Sequence, residues 1–432
     1  MRFSHILTVA ALIFSCLLSA RLAFAQELTI IQGGLLIDGT GRAPLQNSQV
    51  VIRGNQIEHV GPLGSFPIPA GARRIDARGK TILPGFVDLH FHIADDPTLV
   101  PLFVARGVTS ARDPGAWIEY FEPVKQWEQA NGIAAPRLFL CGPHLDGPGP
   151  AYPADSVVIL SPEEARLRVQ RQVAQGATAI KVYFRLPLAS IRAAAEEAHL
   201  LEIPVTAHLE IIDVRDAVEA GVNGIEHITS LGLPLVPPIE AEKYRQAVLA
   251  NNDARRMGRY RMWASIDPHS QAALDLARFL SARKIFVDPT LAVFERQPGD
   301  KGEEIDMMVR AVANMKTYVG VLHQAGVPIV VGSHSDVPHA ARGLAYHREL
   351  ELLVESGLKP IDVLVAATKT GAQFLGRDRD LGTIEKGKLA DILIVDGNPL
   401  QDIRNARNVS VVIADGRVID PKQIPQLTVT KK

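Results

Sequence analysis

The chain has 432 residues, more than one ordinary core accommodates, so a large domain with a smaller second unit is expected. Its formal net charge of -1 leaves no electrostatic footprint for nucleic acid or an acidic membrane surface. With 47% hydrophobic and 22% charged residues, it reads as an ordinary globule rather than a disordered or fibrous chain.

The N-terminus differs from the rest. Arg2 and His5 precede a mostly apolar run from Ile6 to Leu18, and Ala23-Phe24-Ala25 precedes Gln26. A basic start, a short apolar stretch and an A-x-A site predict a secretory signal over residues 1–25, cleaved to leave a secreted or periplasmic chain. Arg21 cuts the run short of the ~20 apolar residues a membrane span needs. No stable membrane association is expected after cleavage; an uncleaved anchor is the alternative. Ile13-Phe14-Ser15-Cys16 is a poor lipidation site. Once the signal is removed Cys141 is the one remaining cysteine, so no intrachain disulfide can form. Cys141 itself reads as a buried strand residue.

Residues 26–80 are β-rich. Leu28-Thr29-Ile30-Ile31, Gln49-Val50-Val51-Ile52 and Gln56-Ile57-Glu58-His59-Val60 are separated by turns at Asp38-Gly39, Arg53-Gly54-Asn55 and Gly61-Pro62. Residues 376–432 have the same texture, with strands in 391–395 and 409–413. Together the two ends predict a small composite β-sandwich. The middle, 81–375, alternates. Short apolar strands fall at 82–89, 108–111, 137–141, 179–183, 203–207, 224–226, 285–287 and 328–331. Helical patterning at 162–175, 188–200 and 270–282 lies between some of them. Eight strand–helix alternations predict a (β/α)8 TIM barrel, an α/β fold.

Chemistry in such a barrel sits at the C-terminal ends of the strands. The first ends in Phe86-Val87-Asp88-Leu89-His90-Phe91-His92. Residues i and i+2 of a strand share a face, so His90 and His92 can offer two imidazoles to one metal ion. The fourth carries Lys181 and Tyr183, the fifth ends in His208, the sixth in Glu226-His227. The eighth reads Val331-Gly332-Ser333-His334-Ser335-Asp336. Histidine is uncommon, yet it recurs at four of these ends.

This set resembles the amidohydrolase superfamily, in its prolidase-like and imidazolonepropionase-like branch of metal-dependent hydrolases. The resemblance covers nearly all of the chain after the signal. It rests on Ile82-Leu83-Pro84-Gly85-Phe86-Val87-Asp88-Leu89-His90-Phe91-His92, Gly107-Val108-Thr109-Ser110-Ala111-Arg112-Asp113 and His347-Arg348-Glu349-Leu350-Glu351. Most specific is the run from Gly382-Thr383-Ile384-Glu385-Lys386-Gly387-Lys388 to Asp396-Gly397-Asn398-Pro399-Leu400. The resemblance implies that His90 and His92 hold one divalent ion and His208 and His227 a second, with zinc the expected identity. It implies that Lys181, carbamylated by CO2, bridges the two. Two such ions can share a hydroxide and polarise a carbonyl.

The pattern breaks at the eighth strand. His334 stands where the resemblance places a metal-binding, proton-handling aspartate, and Asp336 lies two residues further on. Three arrangements are open: His334 as ligand with Asp336 reaching the hydroxide, Asp336 in both roles, or a site with one ion or none. A neutral imidazole is a competent acid or base but brings no negative charge to a metal. After the third strand, Gly142-Pro143-His144 lacks the family's later Gly-Gly-His. His144 then reads as an exposed loop histidine, with substrate binding the alternative. Tyr183 is a second candidate for a substrate oxygen. Arg255, Arg256, Arg259 and Arg261, near Tyr260 and Trp263, read as a solvated helix face, with a lid for an acidic substrate end as the alternative.

The reading that follows is an exported metal-dependent amidohydrolase cleaving a C–N bond of a small molecule, dipeptide-like or an N-acyl amino acid. A metal-bound hydroxide would attack and His334 or Asp336 would protonate the leaving amine. A ligand-binding barrel with a degraded metal site, or a hydrolase of a cyclic amide or lactone, are the alternatives. The expected partner is a small-molecule substrate, and a homo-oligomer is compatible.

Overall fold

The computed structural model describes residues 28–132 and 136–428, a mixed α/β protein. The proposed signal, with Cys16, lies outside the described residues. Leu28–Gln32 pairs antiparallel with Ser48–Arg53, which turns at Gly54-Asn55 into Gln56–Pro62. Arg73–Asp76 runs parallel to the first strand and completes a four-stranded sheet. In a second sheet Lys80–Pro84 pairs antiparallel with Ile392–Asp396, so the two chain ends meet. Val409–Ala414 and Arg417–Ile419 extend that sheet. Ile31, Val50 and Ile52 of the first sheet pack with Ile82, Ile392, Ile394 and Ile413 of the second in one apolar cluster. Alternation along each strand supplies those side chains, because every second residue faces the same way.

The run 82–89, read as one strand, is two. Lys80–Pro84 belongs to the chain-end sheet, whereas Phe86–Asp88 pairs parallel with Val108–Asp113. Pro84 has no N–H with which to continue a ladder. At Gly85 the backbone passes so close to Thr109 that a Cβ would lie 2.1 Å from its Oγ1. The switch between sheets is therefore built on a proline and a glycine.

Phe86–Asp88, Val108–Asp113 and Arg137–Leu140 form a parallel three-stranded sheet. Thr178 N donates to Leu140 O at 2.8 Å, next to the start of Ile180–Val182. From there Val205–Ala207, Gly224–Glu226 and Phe286–Asp288 follow in parallel. The eighth predicted run is reduced to one bridge, Val287 to Ile329, consistent with Pro328 lacking a donor. Leu89 N then donates to Val331 O at 2.9 Å, back beside the first of these strands. Two short strands, His144–Asp146 and Ser156–Val158, were not anticipated and extend the edge of the sheet.

Helices Pro162–Ala174, Leu188–Leu200 and Gln271–Ala282 appear where the 3.6-residue pattern put them. Ser161 and Ser270 accept from the N–H groups of Glu164 and Ala273, satisfying donors that a helix start leaves free. Two further helices, Pro238–Ala250 and Ala254–Ser265, fill the segment after His227. Among the described residues no helix is long and apolar enough to cross a membrane. Cys141 is buried, 3.6 Å from an Arg112 nitrogen.

Gly85→Ala should destabilise the protein by about 1–3 kcal/mol through overpacking against a stiff β-branched side chain. Chemical denaturation measures it, and Thr109→Ala in the same chain should recover most of the loss.

Candidate functional site

A pocket of about 450 Å³ opens at the C-terminal ends of the parallel strands, with His90, His92, Lys181, His208, His227 and His334 in its wall. The structure brings together all six residues that the resemblance and the broken motif singled out as metal ligands. His90 is 1% exposed. Its Nε2 lies 3.2 Å from Nε2 of His92. The His90 and His334 rings stack with centroids 5.1 Å apart, and His92 meets His334 edge-on at 4.8 Å.

Local bonding explains this convergence. The Asp88 Oδ1 accepts from the backbone N–H of both His90, at 3.1 Å, and Ser333, at 3.0 Å. His334 N donates to His90 O at 2.7 Å. One carboxylate oxygen thus ties the ends of the first and eighth strands together. Asp113 holds the far side of the loop, accepting from Ile93, Ala94 and Gly115. His334 and Ser335 adopt left-handed backbone, φ 57° and 69°. That conformation costs energy in non-glycine residues and is sustained here by these bonds.

Two groups of donor atoms each lie within 4.8 Å of one another: His90, His92 and His334, and His90, Glu226 and His227. Both suit a divalent metal by chemistry as well as spacing. Burial holds His90, His92 and His227 well below the usual imidazole range, and brings His334 and His208 to about 4. The rings are then neutral, as a ligand must be. Burial likewise holds Lys181 well below the usual lysine range, which favours the nucleophilic free amine. Lys181 Nζ contacts Glu226 Oε2, and Arg112 pairs with the other oxygen at 2.9 Å. His227 Nδ1 meets Thr290 Oγ1 at 2.6 Å. His208 packs against the His227 ring at 4.6 Å, and its Nε2 is engaged by Glu210 at 2.9 Å. Tyr244 donates its hydroxyl to the second Glu210 oxygen.

Three expectations need correction. Asp336 does not reach the cluster; its side chain is exposed and its carboxylate lies 3.7 Å from Arg342. The left-handed pair His334-Ser335 turns the chain outward before Asp336 is reached. His144 is not an exposed loop residue but sits on a short strand, 5% exposed, stacked on Tyr183 at 4.7 Å. Of the four arginines, Arg256 and Arg261 are solvated, but Arg255 and Arg259 are buried in the pocket wall. They are four residues apart on one helix and so share a face. Arg255 donates to Tyr152 Oη at 3.1 Å, and Arg259 lies 3.6 Å from Glu210.

Reading the motifs left Glu226, Asp288 and Glu210 without roles. Glu226 and Asp288 each end a parallel strand, so the rule that found the histidines was able to find them too.

The family profile described as Amidohydrolase family matches residues 81–419. The 5-methylthioadenosine/S-adenosylhomocysteine deaminase of Symbiobacterium thermophilum is 23% identical over 461 aligned positions, covering 91% of this chain and 93% of its own length. The N-acyl-D-glutamate deacylase of Alcaligenes xylosoxydans xylosoxydans is 30% identical over 237 positions, 52% of this chain and 41% of that one. A Xaa-Pro dipeptidase solved with methionine in its active site superposes with a TM-score of 0.71 at 22% identity, covering 91% of this chain and all (100%) of the other.

Asp88→Ala should orphan two buried N–H groups and cost about 2–4 kcal/mol. Asp88→Asn keeps one acceptor oxygen and should stay close to wild type; equal losses in both variants, read by denaturant titration, would mean the charge itself holds the strand ends together.

Proposed function

The chain belongs to the amidohydrolase family, and on that premise we propose that it is a metal-dependent hydrolase cleaving a C–N bond of a small anionic amide. The observation that carries this reading is the convergence of five imidazoles and Lys181 on one pocket wall, with the buried Glu226 carboxylate against His90 and Lys181. The parallel strands would close as a (β/α)8 barrel over 81–375. The β-rich ends, 26–80 and 376–432, would pack as a composite sandwich. The 1–25 signal would deliver the chain outside the cytoplasm, which intact-mass measurement of exported protein can test.

His90, His92 and His334 would hold one divalent ion. His227 and Glu226 with His208 nearby would hold a second, and Lys181, once carbamylated, would supply an oxygen bridge. When bound, such ions supply Lewis-acid chemistry, polarising the scissile carbonyl and acidifying water. The protein's own contribution is positioning. The donor rings are neutral and tied to the strand ends, so little rearrangement is needed on binding. Tyr183 and His144 form an aromatic wall against which a planar amide fits. Arg255 and Arg259 add guanidinium groups to the same pocket wall, where a substrate carboxylate can be received. A dipeptide or an N-acyl amino acid has both parts: an amide to cleave and a carboxylate to orient it. The likeness to an N-acyl-D-glutamate deacylase agrees with that class.

Protein produced with zinc and bicarbonate should release free amino acid from some member of a panel of N-acyl amino acids and dipeptides. Lys181→Ala should abolish turnover, with partial rescue by short carboxylic acids that replace the carbamate. Metal-loaded protein inert toward the whole panel would overturn the substrate assignment.

Arg259→Met should raise KM for the anionic amide by about tenfold or more, the loss of one charge-assisted contact, with a smaller change in kcat. The corresponding neutral amide ester should be indifferent to the change. Equal effects on both substrates would remove Arg259 from carboxylate recognition.

A further inference from the structure

Asp288 closes the strand Phe286–Asp288 and is 3% exposed. Its backbone carbonyl accepts from His227 N at 2.8 Å. Among the described residues its carboxylate has no hydrogen-bond partner at either oxygen. A buried carboxylate without a donor is costly, so a group in that state calls for a role. His90 Nδ1 lies 3.6 Å from Asp288 Oδ2. Nδ1 of that ring also lacks a hydrogen-bond partner. The opposite nitrogen, Nε2, is the one turned toward His92. The His90 ring therefore stands between the donor group in front and a carboxylate behind.

Glu226 also approaches Nδ1, at 3.5 Å, but it is ion-paired with the Arg112 guanidinium at 2.9 Å. Among the described residues, no lysine or arginine is ion-paired with Asp288. Gly332 makes room for it. A Cβ at that position would lie 2.4 Å from Asp288 Oδ2 and 2.4 Å from His90 Cβ. A glycine on the eighth strand is what lets an acid from the seventh reach the ring.

The trio His90, His92 and His334 contains no acid. Three neutral imidazoles bring no negative charge of their own to a divalent ion, so it must come from outside the trio. We infer that Asp288 supplies from the seventh strand the carboxylate that this trio lacks, acting as a positioning residue that accepts a hydrogen bond from His90 Nδ1 and raises the basicity of Nε2. Such carboxylate–histidine–metal arrangements fix the tautomer and orientation of the ligand ring. The inference rests on the metal-dependent reading above.

The test is metal affinity of the apo-protein, by competition with a chromophoric chelator, and the visible spectrum of the Co2+-loaded protein. Asp288→Asn should lose about 10–100-fold in affinity for one metal equivalent, the usual cost of removing such a carboxylate, and shift the Co2+ bands. Adding His334→Asp in that background should restore most of the affinity, because it returns the negative charge from the eighth strand. Unchanged affinity and spectrum in Asp288→Asn would overturn the inference while leaving the metal reading intact. Wild-type protein that binds no metal would instead overturn the reading on which it rests. If Asp288→Asn does not fold, 15N-histidine spectra of the zinc-loaded wild type decide the matter. A protonated Nδ1 on His90 supports the inference, and a protonated Nε2 contradicts it.

Discussion

The site depends on one buried cation. Arg112 is 1% exposed, and its guanidinium must find acceptors inside the protein or not be buried at all. It donates to Leu89 O at 2.7 Å and to Thr206 Oγ1 at 3.1 Å, and pairs with Glu226 Oε1 at 2.9 Å. Those partners sit at the ends of the first strand, within the fifth and at the end of the sixth. The fork geometry of a guanidinium leaves little freedom in how these three can be arranged. Glu226 is thereby pinned, and with it the oxygen that meets Lys181 and His90. Packing and electrostatics are the same event here: strand ends pack around a charge that fixes Glu226 against His90 and Lys181.

Desolvation then decides the chemistry. Burial favours neutral imidazoles in the pocket and shifts Lys181 toward its free amine. It also pushes Asp88 to about 6 and Asp113 to about 7, although each accepts from two or more backbone N–H groups. Asp88 Oδ1 and the Asp113 carboxylate accept from the backbone around His90 and His92. They do not compete for an ion at the centre. Asp88 and Asp113 thus hold backbone, while Glu226 and the imidazoles supply the clustered donor atoms.

Much of the fold was legible in the chain. Alternating apolar residues marked the strands at both ends and most of the parallel ones. Histidines at strand ends marked the pocket because a strand-end position leaves a side chain free to face the cavity. What was not legible follows from local backbone and from burial. The split at Pro84-Gly85 depends on how closely Thr109 approaches, which no residue pattern states. Asp336 lies outside because two preceding residues take left-handed conformations. His144, Arg255 and Arg259 looked like surface residues, since polar side chains in loops and helices usually are. They are buried because each finds a partner from a distant segment: Tyr183 for His144, Tyr152 and Glu210 for the arginines. Asp288 was readable in principle, as a polar residue ending a parallel strand.

X-ray absorption at the metal edge of the purified protein tests the central claim most directly. The account predicts bound metal with a first shell of nitrogen and oxygen only, imidazole scattering beyond it, and loss of that signal in His90→Ala. A correctly folded protein with no metal signal, or a first shell containing sulfur, would contradict it.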